Sequence, residues 1–273
     1  MKPPIGPDTR LCMSLAARPG TFGSRFHNCL YDALGLDYVY KAFTTVDLAG
    51  AIHGIRALNI RGCAVSMPFK EDVIPLLDEL RDSAAAIDSV NTIVNDDGFL
   101  AGYNTDYSAV RALVEPLSLD RDVPFLLRGS GGMAKAVGAA LVDSGFRNGT
   151  VVARNVDRGR ALAHRLECGW AADAEGLEAP FLINVTPIGM AGPDADGLPF
   201  DRAQIAACAL AFDVVARPVE TPFLRAARAA NRQVLTGDEV AVLQALEQFI
   251  LYTGVRPHPG QVQKAAAFAR GTA

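Results

Sequence analysis

The sequence has no long hydrophobic run: no apolar stretch in its 273 residues approaches the roughly 20 residues that a membrane-spanning helix requires. It also has little net charge, -4 at pH 7, and no run of lysine or arginine. These absences argue against a membrane protein, a nucleic-acid-binding surface and an anionic-membrane partner. Residues 1–7 contain three prolines and no apolar core, so they are not predicted to be a signal peptide.

Cysteine and histidine are too scattered to indicate a disulfide framework or a metal site. No two of the five cysteines form a Cys-x-x-Cys pair, and the four histidines are isolated from one another. Metal sites require converging ligands, so each histidine is interpreted as a surface or structural residue, and no metal is predicted. The expected location is a reducing, cytoplasmic compartment.

The order of elements in the first hundred residues indicates a parallel α/β sheet. Ser24 and Asp47 are predicted to cap two helices, because each precedes a run with apolar residues at helical spacing. A βαβαβ order of this kind predicts parallel strands joined by short crossovers. The strands are predicted over residues 11–15, 38–43 and 62–66, and the helices over residues 24–34 and 48–58.

The third of these strands runs into Pro68, and a helix over residues 69–80 is predicted to follow it. Lys70 therefore comes at the carboxyl end of a parallel strand, where ligands bind in such sheets. A helix N-terminus beside Lys70 would also favour its neutral amine, which suits a general base.

Asp96-Asp97-Gly98 predicts a hairpin, because it separates two runs that are rich in β-branched and apolar residues. The second arm of the hairpin leads to Thr105 and Asp106, either of which is predicted to cap a helix over residues 107–114.

A second βαβ unit surrounds Gly129-Ser130-Gly131-Gly132. A strand over residues 125–127 precedes the glycines, and a helix over residues 134–144 follows them. A helix N-terminus after a glycine-rich turn binds phosphate through its amides and dipole. Because Ala134 stands where a third glycine is usual, the stretch alone is also compatible with a simple connecting turn.

Further strands and helices extend this second unit, and the last two helices bring no sheet of their own. The expected division is therefore 1–106, 107–237 and 238–273, with the C-terminal helices packing back on the first domain. The later strands are predicted over residues 150–153, 181–185, 209–215 and 233–235, and the later helices over residues 157–166, 222–230, 238–252 and 261–269.

Arg154 and Arg158 follow the strand after the glycine-rich turn, where NAD sites usually carry an acidic residue. A planar guanidinium stacks on adenine and binds a 2′-phosphate through two hydrogen bonds. NADP is therefore the predicted cofactor, and the alternative is that both arginines are solvated charges at the start of a helix.

Lys70 and Asp106 are the candidates for acid–base chemistry. An ammonium and a carboxylate can hold a substrate hydroxyl between them and move its proton while hydride leaves the same carbon. The alternative is that they are two unrelated surface residues, since they lie far apart in the sequence.

Several motifs occur in the order seen in shikimate dehydrogenases, and the chain resembles that family from about residue 12 to about residue 256. Gly237 with Gln244 resembles the family's C-terminal motif, and Tyr252-Thr253-Gly254 resembles its usual Trp-Thr-Gly. The other motifs are Val65-Ser66-Met67-Pro68-Phe69-Lys70, Ser89-Val90-Asn91-Thr92, Gly102-Tyr103-Asn104-Thr105-Asp106, Gly129-Ser130-Gly131-Gly132, Ile183-Asn184-Val185-Thr186-Pro187-Ile188-Gly189-Met190 and Thr221-Pro222-Phe223-Leu224.

The resemblance implies a two-domain α/β fold. An N-terminal α/β substrate domain would be completed by C-terminal helices, with a Rossmann-type NADP domain inserted and the active site in the cleft between them. Lys70 and Asp106 match the family's catalytic pair, and aromatic amino acid biosynthesis is the implied pathway. The substrate-binding residues implied are Thr21, Ser66, Asn91 and Gln244. The cofactor-binding residues implied are Gly129, Ser130, Gly131, Gly132, Met133, Arg154, Arg158, Thr186, Val214 and Gly237.

Two departures from the family's pattern concern the substrate. The usual Ser-x-Ser pair, whose hydroxyls hold the substrate carboxylate, is replaced by Thr21-Phe22-Gly23, so one hydroxyl is lost. The usual tyrosine near the nicotinamide is replaced by Ala216. The chain therefore looks most similar to a divergent, shikimate dehydrogenase-like branch.

The substrate predicted from this resemblance is shikimate, interconverted with 3-dehydroshikimate, or a close cyclic polyol carboxylate such as quinate or an amino analogue. The alternatives are a methylenetetrahydrofolate dehydrogenase of related fold and a nucleotide-binding regulator with residual activity. The predicted oligomeric state is a monomer or a homodimer, without nucleic acid or membrane as a partner.

Overall fold

The computed structural model describes residues 2–271, and the chain forms two compact units. One unit combines the chain up to Thr105 with the chain from Val242 onward, and the other is Asp106–Ala241. The first unit is therefore assembled from both ends of the chain, with the second unit inserted between them.

The elements are numbered in chain order. The first are β1 (Arg10–Leu15), α1 (Phe22–Leu34), β2 (Tyr38–Phe43), α2 (Leu48–Ala57), β3 (Gly62–Val65), β4 (Glu79–Leu80), α3 (Asp82–Ala85), β5 (Thr92–Asp96) and β6 (Phe99–Tyr103). They are followed by α4 (Thr105–Val114), β7 (Phe125–Arg128), α5 (Gly132–Asp143), β8 (Gly149–Val152), α6 (Val156–Arg165), β9 (Gly169–Ala171), β10 (Phe181–Asn184), α7 (Arg202–Ala207), β11 (Leu210–Asp213), α8 (Pro222–Ala229), β12 (Gln233–Thr236), α9 (Gly237–Thr253) and α10 (Pro259–Arg270).

The sheet of the first unit is mixed, with the strand order β2-β1-β3-β5-β6-β4. β1 pairs in parallel with β2 and β3, as predicted, whereas β5 runs antiparallel to β3 and to β6. The predicted hairpin is confirmed, and its turn uses positive φ angles of 51° at Asp97 and 93° at Gly98. The carboxyl ends of β1, β2 and β3 consequently meet at one edge, and Ser66 follows β3 there.

Helices from both ends of the chain bury one side of this sheet. His27 of α1 is fully buried and stacks on Tyr40 of β2, with ring centroids 4.5 Å apart and planes 1° from parallel. Burial lowers the pKa of His27 to about 3, so this side chain is a neutral structural residue at physiological pH. The helical residues buried in this layer are Phe26, Leu30, Tyr31, Ala245, Phe249, Tyr252, Val262, Ala265, Ala266 and Ala269.

The sheet of the second unit is wholly parallel, with the strand order β12-β11-β10-β7-β8-β9. This is the doubly wound order of a Rossmann fold, so the predicted fold class is confirmed. The strand order reverses between β7 and β10. The carboxyl edge at such a reversal is where doubly wound sheets bind their ligands.

The predicted helix over residues 69–80 is wrong. The segment consists of turns and one short 3₁₀ turn, Ile74–Leu76. Pro75 lacks the amide that a continuous α-helix needs at this point. Asp78 then bonds outside the segment, where its Oδ2 accepts from the Leu100 amide at 2.7 Å, and β4 pairs with β6.

Two predicted helix caps are also wrong. Thr21, not Ser24, occupies the N-cap position of α1, and its carbonyl accepts from the Arg25 amide at 3.0 Å. α4 begins at Thr105 itself, because the Thr105 amide is satisfied by Oδ1 of Asn91 at 2.8 Å. A bond to a distant side chain thus replaces the local cap that the sequence predicted.

Four short elements, β4, α3, β9 and α7, were not predicted. One had a local signal: Asp201 and Gln204 form a reciprocal capping box at the start of α7.

In the described part of the chain, no helix has the length and apolar character to cross a bilayer.

Candidate active site

Asn91 lies at the centre of a buried hydrogen-bond network in the first unit. Its Oδ1 accepts from the Thr105 amide at 2.8 Å, the Thr92 hydroxyl at 2.8 Å and the Thr105 hydroxyl at 3.1 Å. Asn91 is 2% exposed, and both threonines are fully buried. Three donors on one oxygen fix the orientation of the amide and therefore that of its Nδ2 group. Asn91 is thus a pre-oriented donor for a ligand oxygen.

α9 closes this network from the far end of the chain. Nε2 of Gln248 donates to the Thr92 hydroxyl at 3.0 Å and to the Asn91 carbonyl at 3.4 Å. Oε1 of Gln244, four residues earlier, lies 3.4 Å from the Thr105 hydroxyl oxygen and is a second, more distant acceptor for the hydrogen that Thr105 donates to Asn91. Residues four apart lie on the same helix face. One face of α9 therefore meets Thr92, the first residue of β5, and Thr105, the first residue of α4.

The other predicted substrate residues of the first unit lie at element ends. Thr21 is exposed before α1, and within residues 2–271 its side chain makes no capping hydrogen bond. Ser66 is exposed directly after β3, with its amide bonded to the Leu15 carbonyl at 2.9 Å. A Cβ on Gly23 would lie 3.4 Å from the Tyr40 hydroxyl oxygen, so packing alone does not require glycine there.

Lys70 and Asp106 are both partly buried, Lys70 in the turn after β3 and Asp106 in the first turn of α4. The Lys70 carbonyl accepts from the Val90 amide at 2.8 Å, which fixes its backbone beside the segment that leads to Asn91. The helix that was expected to act on Lys70 does not form, so the predicted effect of a helix dipole on its amine is wrong. The acid–base role of both residues stays a prediction.

In the second unit, β7 leads through a glycine-rich turn into α5. Gly129 has a φ of +130°, and a Cβ there would lie 2.8 Å from Cγ2 of Val185, so only glycine fits. Gly131 occupies the N-cap position of α5, with an ordinary φ of −87° and no side chain to cap the helix. The first amides of α5 and the positive end of its dipole are therefore available to an anion.

The space in front of α5 is open. A Cβ built on Gly131 or Gly132 meets no atom within 4 Å in the part of the chain that the structure describes. In dinucleotide sites the second glycine of the turn lets the backbone approach the pyrophosphate, and a side chain would fill that space. The residues present therefore fit a dinucleotide.

Two exposed arginines follow the neighbouring strand. β8 pairs with β7 so that Val152 lies opposite Arg128, and Arg154 comes two residues later. Arg158 lies in the first turn of α6, where its amide donates to Oδ1 of the N-cap residue Asn155 at 2.9 Å. The edge beside the glycine-rich turn is therefore cationic, which favours a phosphorylated ribose.

A second buried network joins the ends of β10 and β11. The amide and hydroxyl of Thr186 donate to Oδ1 of Asn184 at 3.1 and 2.6 Å. Nδ2 of Asn184 in turn donates to Oδ1 of Asp213 at 3.0 Å, and the Thr221 hydroxyl donates to Oδ2 of Asp213 at 2.7 Å. The loop that carries Thr186 is thus tied to β11.

Val214 and Gly237 also lie together at this edge. A Cβ on Gly237 would lie 2.2 Å from the Val214 carbonyl oxygen and 2.3 Å from its carbonyl carbon. Because those atoms belong to the backbone, no larger residue is accommodated without a main-chain shift. The start of α9 therefore depends on glycine to approach the end of β11.

The stability of the protein is expected to depend measurably on pH through the carboxyl of Asp213. Burial raises the pKa of its carboxyl from 3.8 to about 6, and hydrogen bonds from Thr221, Val215 and Asn184 offset part of that rise. A raised folded-state pKa gives stability that is complete below about pH 4 and is lost as pH rises to about 6. The loss is about 3 kcal/mol in the free energy of unfolding, because the pKa of the carboxyl is about 6 in the folded protein and 3.8 in its ordinary state.

Urea unfolding of the protein and of Asp213→Asn between pH 3.5 and pH 7.5 tests this. The difference between their unfolding free energies is expected to fall across the window from pH 4 to pH 6, because asparagine does not titrate. A difference that stays constant across the window would contradict the prediction.

Sequence reasoning did not identify Gln248, Asn184 or Asp213 as residues of these networks. For Gln248 a signal was present, since it follows Gln244 by four residues on a predicted helix. A carboxylate at the end of the apolar strand β11 was a second signal, because a buried acid needs hydrogen-bond donors.

The chain is similar to proteins of one known family. Residues 21–93 match the model of the shikimate dehydrogenase substrate binding domain. The shikimate dehydrogenase-like protein of Haemophilus influenzae is 54% identical over 267 residues, which cover 97% of this chain and 98% of that protein. The shikimate dehydrogenase (NADP(+)) of Oleidesulfovibrio alaskensis is 38% identical over 236 residues, 84% of each chain.

Several solved structures are also similar to this chain over nearly its whole length. A shikimate 5-dehydrogenase-like protein matches with a TM-score of 0.95 and 54% identity, over 97% of this chain and 99% of the other. Shikimate 5-dehydrogenase from Thermus thermophilus, in complex with NADP(H) and shikimate, matches with a TM-score of 0.84 and 30% identity over 95% and 99%. Quinate dehydrogenase from Corynebacterium glutamicum, in complex with NAD, matches with a TM-score of 0.88 and 29% identity over 96% and 99%.

Proposed function

Because this chain belongs to the shikimate dehydrogenase family, we propose that it is an NADP-dependent dehydrogenase of shikimate or a close cyclic polyol carboxylate. It would interconvert a ring hydroxyl and the corresponding ketone. The observation that carries the proposal is the buried network that orients Asn91, since a pre-oriented amide donor suits a polyol. Motifs that the family uses for the cofactor and for the substrate hydroxyls occur in this chain, with departures at Gly23 and Ala216.

The acid–base work is assigned to Lys70 and Asp106. In the oxidative direction the hydroxyl proton passes to the Lys70 amine, while Asp106 accepts a hydrogen bond that orients the reacting group. The other ring hydroxyls are bound by Asn91, Ser66 and Gln244. Thr21 donates to the substrate carboxylate through a hydroxyl that does not cap α1.

The cofactor is assigned to the second unit. NADP supplies the acceptor for the hydride when it is bound. The amides of Gly131, Gly132 and Met133 at the start of α5, together with the Gly129-Ser130 turn, hold the pyrophosphate. Arg154 and Arg158 bind the adenosine end, and the backbone around Thr186, Val214 and Gly237 lines the nicotinamide end.

A substrate screen tests the proposed function directly. Purified protein is incubated with shikimate, quinate or an amino analogue and with NADP or NAD, and the absorbance of reduced nicotinamide is followed. At least one of these substrates is expected to reduce NADP faster than NAD. No reduction with any of them at saturating concentration would reject the proposal.

Quinate is the second candidate substrate. The loss of one hydroxyl at Gly23 changes the residues that the family uses for the carboxylate, and a quinate dehydrogenase is among the similar solved structures. The ratio of kcat/KM for quinate to that for shikimate separates the two candidates, since they differ in the ring carbon that bears the carboxylate.

Gly23→Ser is expected to improve binding of the substrate carboxylate. The mutation adds one hydroxyl, and a Cβ at this position is in van der Waals contact at 3.4 Å from Tyr40. A hydrogen bond to a charged group contributes roughly 1.5 kcal/mol or more, so KM for shikimate should fall roughly tenfold at saturating NADP.

Gly23→Ala is the matched control, because it adds the same Cβ without the hydroxyl. If serine and alanine shift KM equally, position 23 acts through backbone stiffness or packing, and the assignment of the carboxylate to this turn is wrong.

A further inference from the structure

Arg128 is a charged residue at the end of an apolar face, directly before the glycine-rich turn. It is the last residue of β7, the strand at which the order of the sheet reverses, and it pairs with Val152 on β8 and Asn184 on β10. Leu126, two residues earlier and so on the same face, is buried in the core beneath α7 and α8. A buried arginine side chain usually has a hydrogen-bond or charge partner.

The partners of Arg128 within the protein leave its charge largely uncompensated. Its guanidinium is partly buried, and Nη1 donates to the Pro199 carbonyl. In the described part of the chain, no carboxylate lies within ion-pair distance of Arg128, and Asp173 acts on it only at longer range. Burial lowers the pKa of Arg128, the neighbouring Arg154 lowers it further, and Asp173 raises it.

Two guanidiniums are therefore gathered at the edge formed by β7 and β8. Arg128 ends one strand, and Arg154 comes two residues after Val152, its partner on the adjacent strand. Like charges at close range cost free energy unless an anion is bound between them. The first amides of α5 are already suited to the pyrophosphate of a dinucleotide. A further phosphate group is therefore the anion that the two guanidiniums at this edge would bind.

We propose that Arg128 is a specificity-determining residue of the cofactor site, and that with Arg154 it binds the phosphate on the adenosine ribose of NADP. The inference rests on the proposed function and assigns a residue to that same site. It assigns the distinction between NADP and NAD in part to a partly buried side chain, Arg128, beside the exposed Arg154 and Arg158.

Arg128→Leu is the variant with the sharpest expectation. Leucine continues the apolar face that Leu126 begins, and it removes one guanidinium from the phosphate. The dissociation constant of NADP should rise at least tenfold, the value of one charge-assisted hydrogen bond. The dissociation constant of NAD, which lacks the phosphate, should stay within about threefold of the wild-type value.

The measurement is cofactor binding to the full chain without substrate, by titration calorimetry, so that it does not depend on turnover. The control is Arg225→Leu, since Arg225 is an exposed arginine of the same unit that also donates to a backbone carbonyl, that of Glu220 at 2.7 Å. Arg225→Leu should leave both dissociation constants unchanged. The double variant with Arg154→Ala should lose less NADP affinity than the sum of the single variants, because both arginines bind one phosphate.

Arg128→Gln covers the case in which leucine prevents folding, since glutamine keeps a donor for the Pro199 carbonyl without the charge. A folded Leu or Gln variant that weakens NADP and NAD equally, or neither, would overturn the inference. That result is distinct from failure of the proposed function, which would be a wild-type protein that does not bind NADP at all.

Discussion

Lys70→Met is expected to reduce kcat by a factor of about 10² to 10⁴ while NADP binding stays near its wild-type strength. Removing a general acid–base group typically costs that factor. Methionine keeps much of the length of the side chain but cannot accept or donate the hydroxyl proton. Asp106→Asn should reduce kcat in the same way, because its amide is neutral. Initial rates at saturating substrate and cofactor give kcat, and calorimetry gives the affinity for NADP.

Lys264→Met is the matched control, since Lys264 is an exposed residue of α10. It should retain wild-type kcat. Turnover of Lys70→Met within tenfold of wild type would mean that Lys70 is not the proton carrier. A protein that changes a ligand response but has no turnover to lose would instead support the regulator interpretation.

Gly131→Ala is expected to weaken NADP binding at least tenfold, and Gly131→Val to abolish measurable binding, without loss of stability. The backbone at Gly131 has an ordinary φ, and in residues 2–271 no atom lies within 4 Å of the added Cβ. A side chain there therefore costs nothing in the free protein but occupies the space that the pyrophosphate needs. Calorimetric titration with NADP and a thermal melt together measure both effects.

Gly54→Ala is the control for this pair. Gly54 lies in α2 of the first unit, and its added Cβ also meets no atom within 4 Å among the described residues. It should keep wild-type cofactor affinity and be slightly stabilised, since alanine favours helix. If Gly131→Ala binds NADP as well as Gly54→Ala does, the pyrophosphate does not lie at the start of α5.

The parts of the fold that local sequence determines were predicted well. β2 was predicted over residues 38–43 and is Tyr38–Phe43, because the segment is rich in aromatic and β-branched residues, which favour strands. Asp47 caps α2 as predicted, with its side chain accepting from the Gly50 amide at 2.8 Å. Residues 69–80 failed because Pro75 and the bonds of Asp78 to β6 outweigh the local preference for helix.

The candidate site likewise has parts that the local sequence predicts and parts that it does not. The glycine-rich turn was predicted from adjacent residues, because strand, turn and helix follow one another directly. The role of Gln248 was not, since its bond to Thr92 joins residues 156 positions apart. The charge environment of Arg128 depends likewise on Pro199 and Arg154, which no local pattern brings to it.

Because the first unit is divided between both ends of the chain, the two units fold in a fixed order during synthesis. Phe26 and Leu30 of α1 pack with Phe249 of α9 and Ala265 of α10, which leave the ribosome only after the whole of Asp106–Ala241. At about 5–20 residues per second, the apolar side of the nascent sheet stays uncovered for on the order of ten seconds. The inserted unit, which is continuous in sequence, can fold during that interval. The first unit completes its fold last, so the growing chain has its doubly wound sheet before the hydrogen-bond network around Asn91.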